Sequence, residues 1–138
     1  MKQVIFGFAV IIAQGVLAQV HLGFTEAELR NKYPNNRYEV RSSPDGVLKT
    51  LAFYNESSSF LYLLNKEGVI HTVNNIFLDM APINGMVEFY NNHYVVVSEV
   101  EWKAYLEKGQ IMRIVLDSTK ELPFFKYSMI YPKIDGSQ

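Results

Sequence analysis

The sequence predicts an α+β fold in which two copies of a short helix plus an antiparallel meander join into one sheet, with both helices packed on the same face. Three observations predict it. Apolar residues change from helical to alternating spacing twice, once after Tyr33-Pro34 and again after Tyr90. Aromatic residues make up 14% of the chain, with nine Tyr and nine Phe, a bias towards strands. Short segments also recur in the same order about 50 residues apart.

The first helix is announced by Thr25 and Glu28, the spacing of a capping box, in which hydroxyl and carboxylate each take a free backbone amide. It runs on through Ala27, Leu29 and Arg30 until Tyr33-Pro34 forbids a further turn. Strands follow at Tyr38 to Val40, Val47 to Tyr54, Phe60 to Leu64 and Val69 to Leu78. Turns fall at Ser43-Pro44-Asp45-Gly46, Asn55 to Ser59 and Asn65-Lys66-Glu67-Gly68. After Met80-Ala81-Pro82 comes a second helix around Ile83 to Tyr90. Strands are then expected at Tyr94 to Val97, Glu101 to Leu106, Ile111 to Asp117 and Pro123 to Tyr131. The two halves align residue by residue. Tyr33 to Val40 lies opposite Tyr90 to Val96 with Pro34 as the extra position, and Tyr54 lies opposite Tyr105. Leu61 to Asn65 lies opposite Met112 to Asp117 with one residue added.

Met1 to Ala18 reads as a cleavable secretory signal peptide: a positive start at Lys2, an apolar run from Val4 to Ala13, and small side chains at Val16 and Ala18. The run is shorter than the roughly 20 residues a membrane-spanning helix needs. Residues 19–132 are then one domain, with repeat one about 22–78, repeat two about 80–131, and a polar tail at 133–138. A periplasmic or secreted location follows as an expectation. The chain has no cysteine, which excludes both disulfides and a lipidated cysteine, so the domain must stand on its core. Its formal charge of -1 is spread evenly and gives no footprint for nucleic acid or an anionic membrane. Asn55-Glu56-Ser57 has the form of a glycosylation acceptor, relevant only in a eukaryotic host.

Leu22-Gly23-Phe24-Thr25-Glu26-Ala27-Glu28-Leu29-Arg30 resembles the helix opening of exported proteins of the beta-lactamase-inhibitor-protein type. It is similar also to that of small outer-membrane assembly lipoproteins sharing the helix-plus-meander unit. The inhibitor family carries the unit twice. The resemblance implies this fold and a binding role. It does not bring lactamase inhibition with it, because the chain lacks the cysteines that staple the inhibitors and the one that anchors the lipoproteins.

Function is read from the strand faces. In Phe60 to Leu64 and Ile111 to Leu116 both alternating sets are largely apolar, so these strands should be covered on both sides. Two short helices cover one face, leaving the other partly apolar and aromatic. A partner-binding surface is therefore expected at Tyr62, Trp102, Arg113, Phe124 and Lys126, residue types that interface centres favour. The expected partner is an envelope or secreted protein. A chain whose scattered aromatics are simply core or rim residues would show the same composition. Catalytic signals are weak. His21, His71 and His93 have no metal-ligand spacing, and phosphate loops, nucleophile elbows and zinc-protease helices are missing. No cofactor is expected. The alternatives are a small apolar-ligand-binding protein, or an enzyme with a pocket centred on His71 and a carboxylate such as Asp79 pointing inside.

Overall fold

The computed structural model describes residues 21–56, 58–106 and 109–130. The expected signal peptide, the proposed cleavage point before Gln19, the tail and Ser57 lie outside them. The elements run α1 (Glu26–Lys32), β1 (Glu39–Ser42), β2 (Lys49–Tyr54), β3 (Ser58–Leu64) and β4 (Ile70–Phe77). They continue with α2 (Ala81–His93), β5 (Val95–Ser98), β6 (Glu101–Tyr105), β7 (Ile111–Asp117) and β8 (Phe124–Ile130). All eight strands form one antiparallel sheet in the order β1-β2-β3-β4-β8-β7-β6-β5. Each helix is thus followed by its own four-strand meander, and the two meanders join through their last strands.

The registers show how closely the halves correspond. Tyr54 and Tyr105 end β2 and β6, and they pair with Ser59 and Ile111. Counting on from that match sets Leu61 on Arg113, Tyr62 on Ile114 and Asn65 on Asp117, with no residue added. The inserted residue expected from sequence is therefore not needed, and the match at Leu61 to Met112 was one position out. Tyr62 pairs with Val73, and Ile114 pairs with Tyr127, so Val73 corresponds to Tyr127. These two also pair with each other across the β4–β8 seam, which places the pseudo-two-fold axis between them. The turns repeat as well. Asn65 Oδ1 accepts from the N–H groups of Glu67 and Val69 at 3.0 Å, and Asp117 Oδ1 accepts from Thr119 N–H at 2.9 Å.

One departure from the repeat is a β-bulge between Leu63 and Leu64, which leaves His71 as an extra residue in β4. A second bulge, between Val96 and Ser98, inserts Val97 into β5.

The helices lie on one face. In α1 the capping box is complete: Thr25 Oγ1 accepts from Glu28 N–H at 3.2 Å, and Glu28 Oε1 accepts from Thr25 N–H at 3.0 Å. Leu29 is the one α1 side chain driven fully into the core. In α2, Ile83 and Tyr90 are buried, two turns apart on one side, with Pro82 in the first turn. Beneath them lies a continuous apolar layer of Leu51, Phe60, Tyr62, Leu64, Val73, Trp102, Met112, Ile114, Phe125 and Tyr127. Burial of this layer from water is the main force holding the sheet and helices together.

Candidate functional site

Side chains on the other face of the sheet meet no helix. Because successive residues alternate, the partners of the core layer fix which these are. Leu61, Leu63, Thr72, Asn74 and Ile76 come from the first half, and Glu101, Lys103, Arg113, Val115, Asp117, Phe124 and Lys126 from the second. The two halves differ sharply in character. Register sets Ala52 against Lys103, Leu61 against Arg113 and Thr72 against Lys126, so the inner strands of this face are neutral in the first half and charged in the second, and the first half carries its charges, Glu39 and Arg41, out on β1.

A hollow of about 490 Å³ lies where the two halves meet, lined by Leu63, His71, Thr72, Asn74, Arg113, Val115, Asp117, Phe124 and Lys126. Half-buried Leu63, Val115 and Phe124 supply its apolar surface, and exposed His71, Arg113 and Lys126 stand at its margin. Arg113 is held by Glu101, with Nε and Nη2 donating to the two carboxylate oxygens at 2.9 and 3.1 Å. The guanidinium in turn draws the Glu101 carboxyl below its ordinary range. Asp117 is also held low, by hydrogen bonds from Thr119. Lys126 enters no ion pair among the described residues. The side-chain oxygen of Asn74 is buried without a hydrogen-bond partner, a cost unless some group meets it. The bulge inserts His71 beside this hollow, and Thr72 Oγ1 lies 2.8 Å from its Nδ1. Among the described residues no group of His, Asp and Glu is arranged to hold a metal ion.

No family model, no curated protein and no solved structure matches this chain. The site is therefore read from its geometry.

Arg113, Phe124 and Lys126, three of the five residues expected at the docking surface, do share the uncovered face. Tyr62 and Trp102 do not, and this corrects the expectation. Tyr62 is 4% exposed and Trp102 0% exposed, both in the layer under the helices. Trp102 Nε1 donates to Asn91 Oδ1 of α2 at 2.8 Å, and its ring packs 5.6 Å from that of Tyr90. The reason is parity. The one-residue slip in matching the halves set Tyr62 against Arg113, whereas Tyr62 corresponds to Ile114, and a slip of one exchanges the faces of a strand. For Trp102 a signal was present: its neighbours Glu101 and Lys103 face the side it avoids.

The pairing of His71 with Asp79 is also corrected. His71 sits at the start of β4 and Asp79 lies just beyond its end, so the strand itself separates them by roughly 25 Å. Asp79 instead accepts from Ala81 N–H at 2.9 Å, at the opening of α2. Residues that sequence reading missed are Leu63, Thr72, Asn74, Val115 and Asp117. Those on β3 and β7 could have been found by following Arg113 at every second position and across the register.

Proposed function

We propose that this chain is an exported, non-enzymatic binding protein that seats a protein partner on the uncovered face of its sheet. The observation that carries the reading is the hollow between the two halves, with an apolar floor at Leu63, Val115 and Phe124 and cationic side chains at its margin. The site suits a protruding loop with an apolar side chain for the floor and a carboxylate for Lys126, which enters no ion pair among the described residues. The resemblance of the first helix to exported binding proteins agrees with this reading.

A small-ligand protein is the second reading, favoured by a hollow volume within the usual range for ligand pockets. One experiment separates the two. A photo-crosslinking residue placed at Val115, and another on the solvent side of α1 at Ala27, are exposed in cells of the source organism. Protein docking gives a discrete protein adduct from position 115 alone, and Lys126→Glu reduces it. Adducts equal from both positions, or none from 115, sink the protein-partner reading.

A further inference from the structure

The two edges of the sheet occupy equivalent places in the two halves, yet they are finished differently. Register matches β1 to β5 with Glu39 on Val95, Val40 on Val96 and Arg41 on Ser98. Edge strands present unpaired N–H and C=O groups and are normally guarded by charge. β1 is guarded: Arg41 donates to Glu39 Oε1 through Nε at 3.1 Å and Nη2 at 2.9 Å, setting a hydrated ion pair on the edge. β5 carries no charge. Val95, Val96 and Val97 are 49%, 51% and 48% exposed, and Val100 extends the apolar surface at 43%.

We propose that β5 pairs antiparallel with β5 of a second copy of this chain, extending the sheet across a true two-fold axis at Val96. Three features favour a second copy over a foreign strand. A two-fold centred on Val96 sets Val95 opposite Val97 of the other copy, so every central pair is β-branched, the cross-strand combination that sheets favour. With no formal charge on the strand, self-pairing brings no like charges together. The chain also already joins its own halves in this way, through antiparallel pairing of corresponding strands β4 and β8 about the axis at Val73 and Tyr127. β5 is short and bulged, which limits the buried area and makes the association weak, on the order of micromolar. Because the axis stands perpendicular to the continuous sheet, both uncovered faces look the same way, so the dimer is a bivalent version of the site. The pairing itself does not depend on that site's function.

The test is analytical ultracentrifugation of the full chain from about 1 to 500 µM, a range bracketing a weak association. The wild type should pass from protomer to twice the protomer mass. Val96→Lys, which sets two ammonium groups against each other, should raise the dissociation constant at least tenfold while leaving the far-ultraviolet circular dichroism unchanged. Should that variant not fold, cysteine decides. The native chain has none, and opposed residues of an antiparallel pair lie within disulfide reach. Val96→Cys should therefore give an oxidised dimer, and Val40→Cys on the other edge should not. A wild type monomeric throughout, its edge left to solvent or to a foreign strand, overturns the proposal. So does a dimer that survives Val96→Lys, or one that cross-links through Val40→Cys instead.

Discussion

The hydroxyls of Tyr90 and Tyr127 stand 2.7 Å apart in the core, one from α2 and one from β8, and they form a buried polar link between helix and sheet. Phe125 packs edge-on against Tyr90 at 5.3 Å, and both tyrosines are 0% exposed. Tyr90→Phe or Tyr127→Phe alone breaks this link, although the Tyr127 hydroxyl also has Asn75 as a partner, and should cost about 1 kcal/mol in urea unfolding. The double variant should cost less than the sum, because the bond between the two hydroxyls can be lost only once. Strict additivity would show that the two hydroxyls are not coupled.

Burial raises the phenol pKa of Tyr62, Tyr90 and Tyr127 above 10.0. The sign follows from linkage: above pH 10 the unfolded chain releases these protons first, so stability is full below that point and falls as pH rises. Ultraviolet titration should show these three phenols ionising together with unfolding rather than before it.

His21 gives the opposite edge of the pH profile. It is buried, its Nε2 lies 3.1 Å from the Tyr33 hydroxyl, and burial, with Lys32 nearby, lowers its pKa to about 4. The unfolded chain, with a value near 6.5, takes up the proton first as pH falls. Stability is therefore full above pH 6.5 and declines towards pH 4, with a slope from this group of at most about 1.4 kcal/mol per pH unit. His21→Gln should flatten that limb in melts recorded between pH 7 and pH 4. An unchanged limb would assign the acid sensitivity to other groups.

Trp102 and Arg113 should behave oppositely on substitution. Trp102→Ala opens a void under α2 and frees Asn91, costing about 3–5 kcal/mol. Arg113→Ala breaks a pair whose arginine side chain is 46% exposed and should cost less than about 1 kcal/mol. Chemical denaturation of both variants checks this, and it identifies Arg113 as the cleaner position for altering the uncovered face.

The α1 cap should be worth more than its length suggests. With seven residues and Leu29 as its buried anchor, this helix has little else to fix its start. Thr25→Ala should cost about 1 kcal/mol and should speed amide exchange in α1 while leaving α2 unaffected. Equal exchange in both variant and wild type would show the cap to be idle.

Local chemistry explains what was legible. Thr25 and Glu28 reveal their helix because both halves of the capping box lie within one turn, and the limits of β7 coincide with those expected because Asp117 terminates it with its own side chain. Gly46 N–H donates to Ser43 O at 2.8 Å, as its turn residues predict. What was not legible depends on partners distant in sequence. The second helix was expected to end near Tyr90, yet α2 runs on through Asn91 and Asn92 to His93, with Asn91 held by the indole of Trp102. Apolar residues on both faces of β3 give no parity, so Tyr62 could be assigned only through its neighbours Leu51 and Val73. Most of the hollow was hidden for the same reason: it gathers residues from β3, β4, β7 and β8, and the seam joining the halves has no local signature.

A pair seated on a symmetry axis has a property no other pair shares: each member must fit against its own counterpart. Two phenol rings there would contest the same volume, and two valines would leave part of it unfilled, so Val73 beside Tyr127 divides the space unequally between the halves. It follows that the halves are not interchangeable. Repeating either one identically would overfill or hollow out the centre of the molecule, and the difference between the copies is itself a condition of closure.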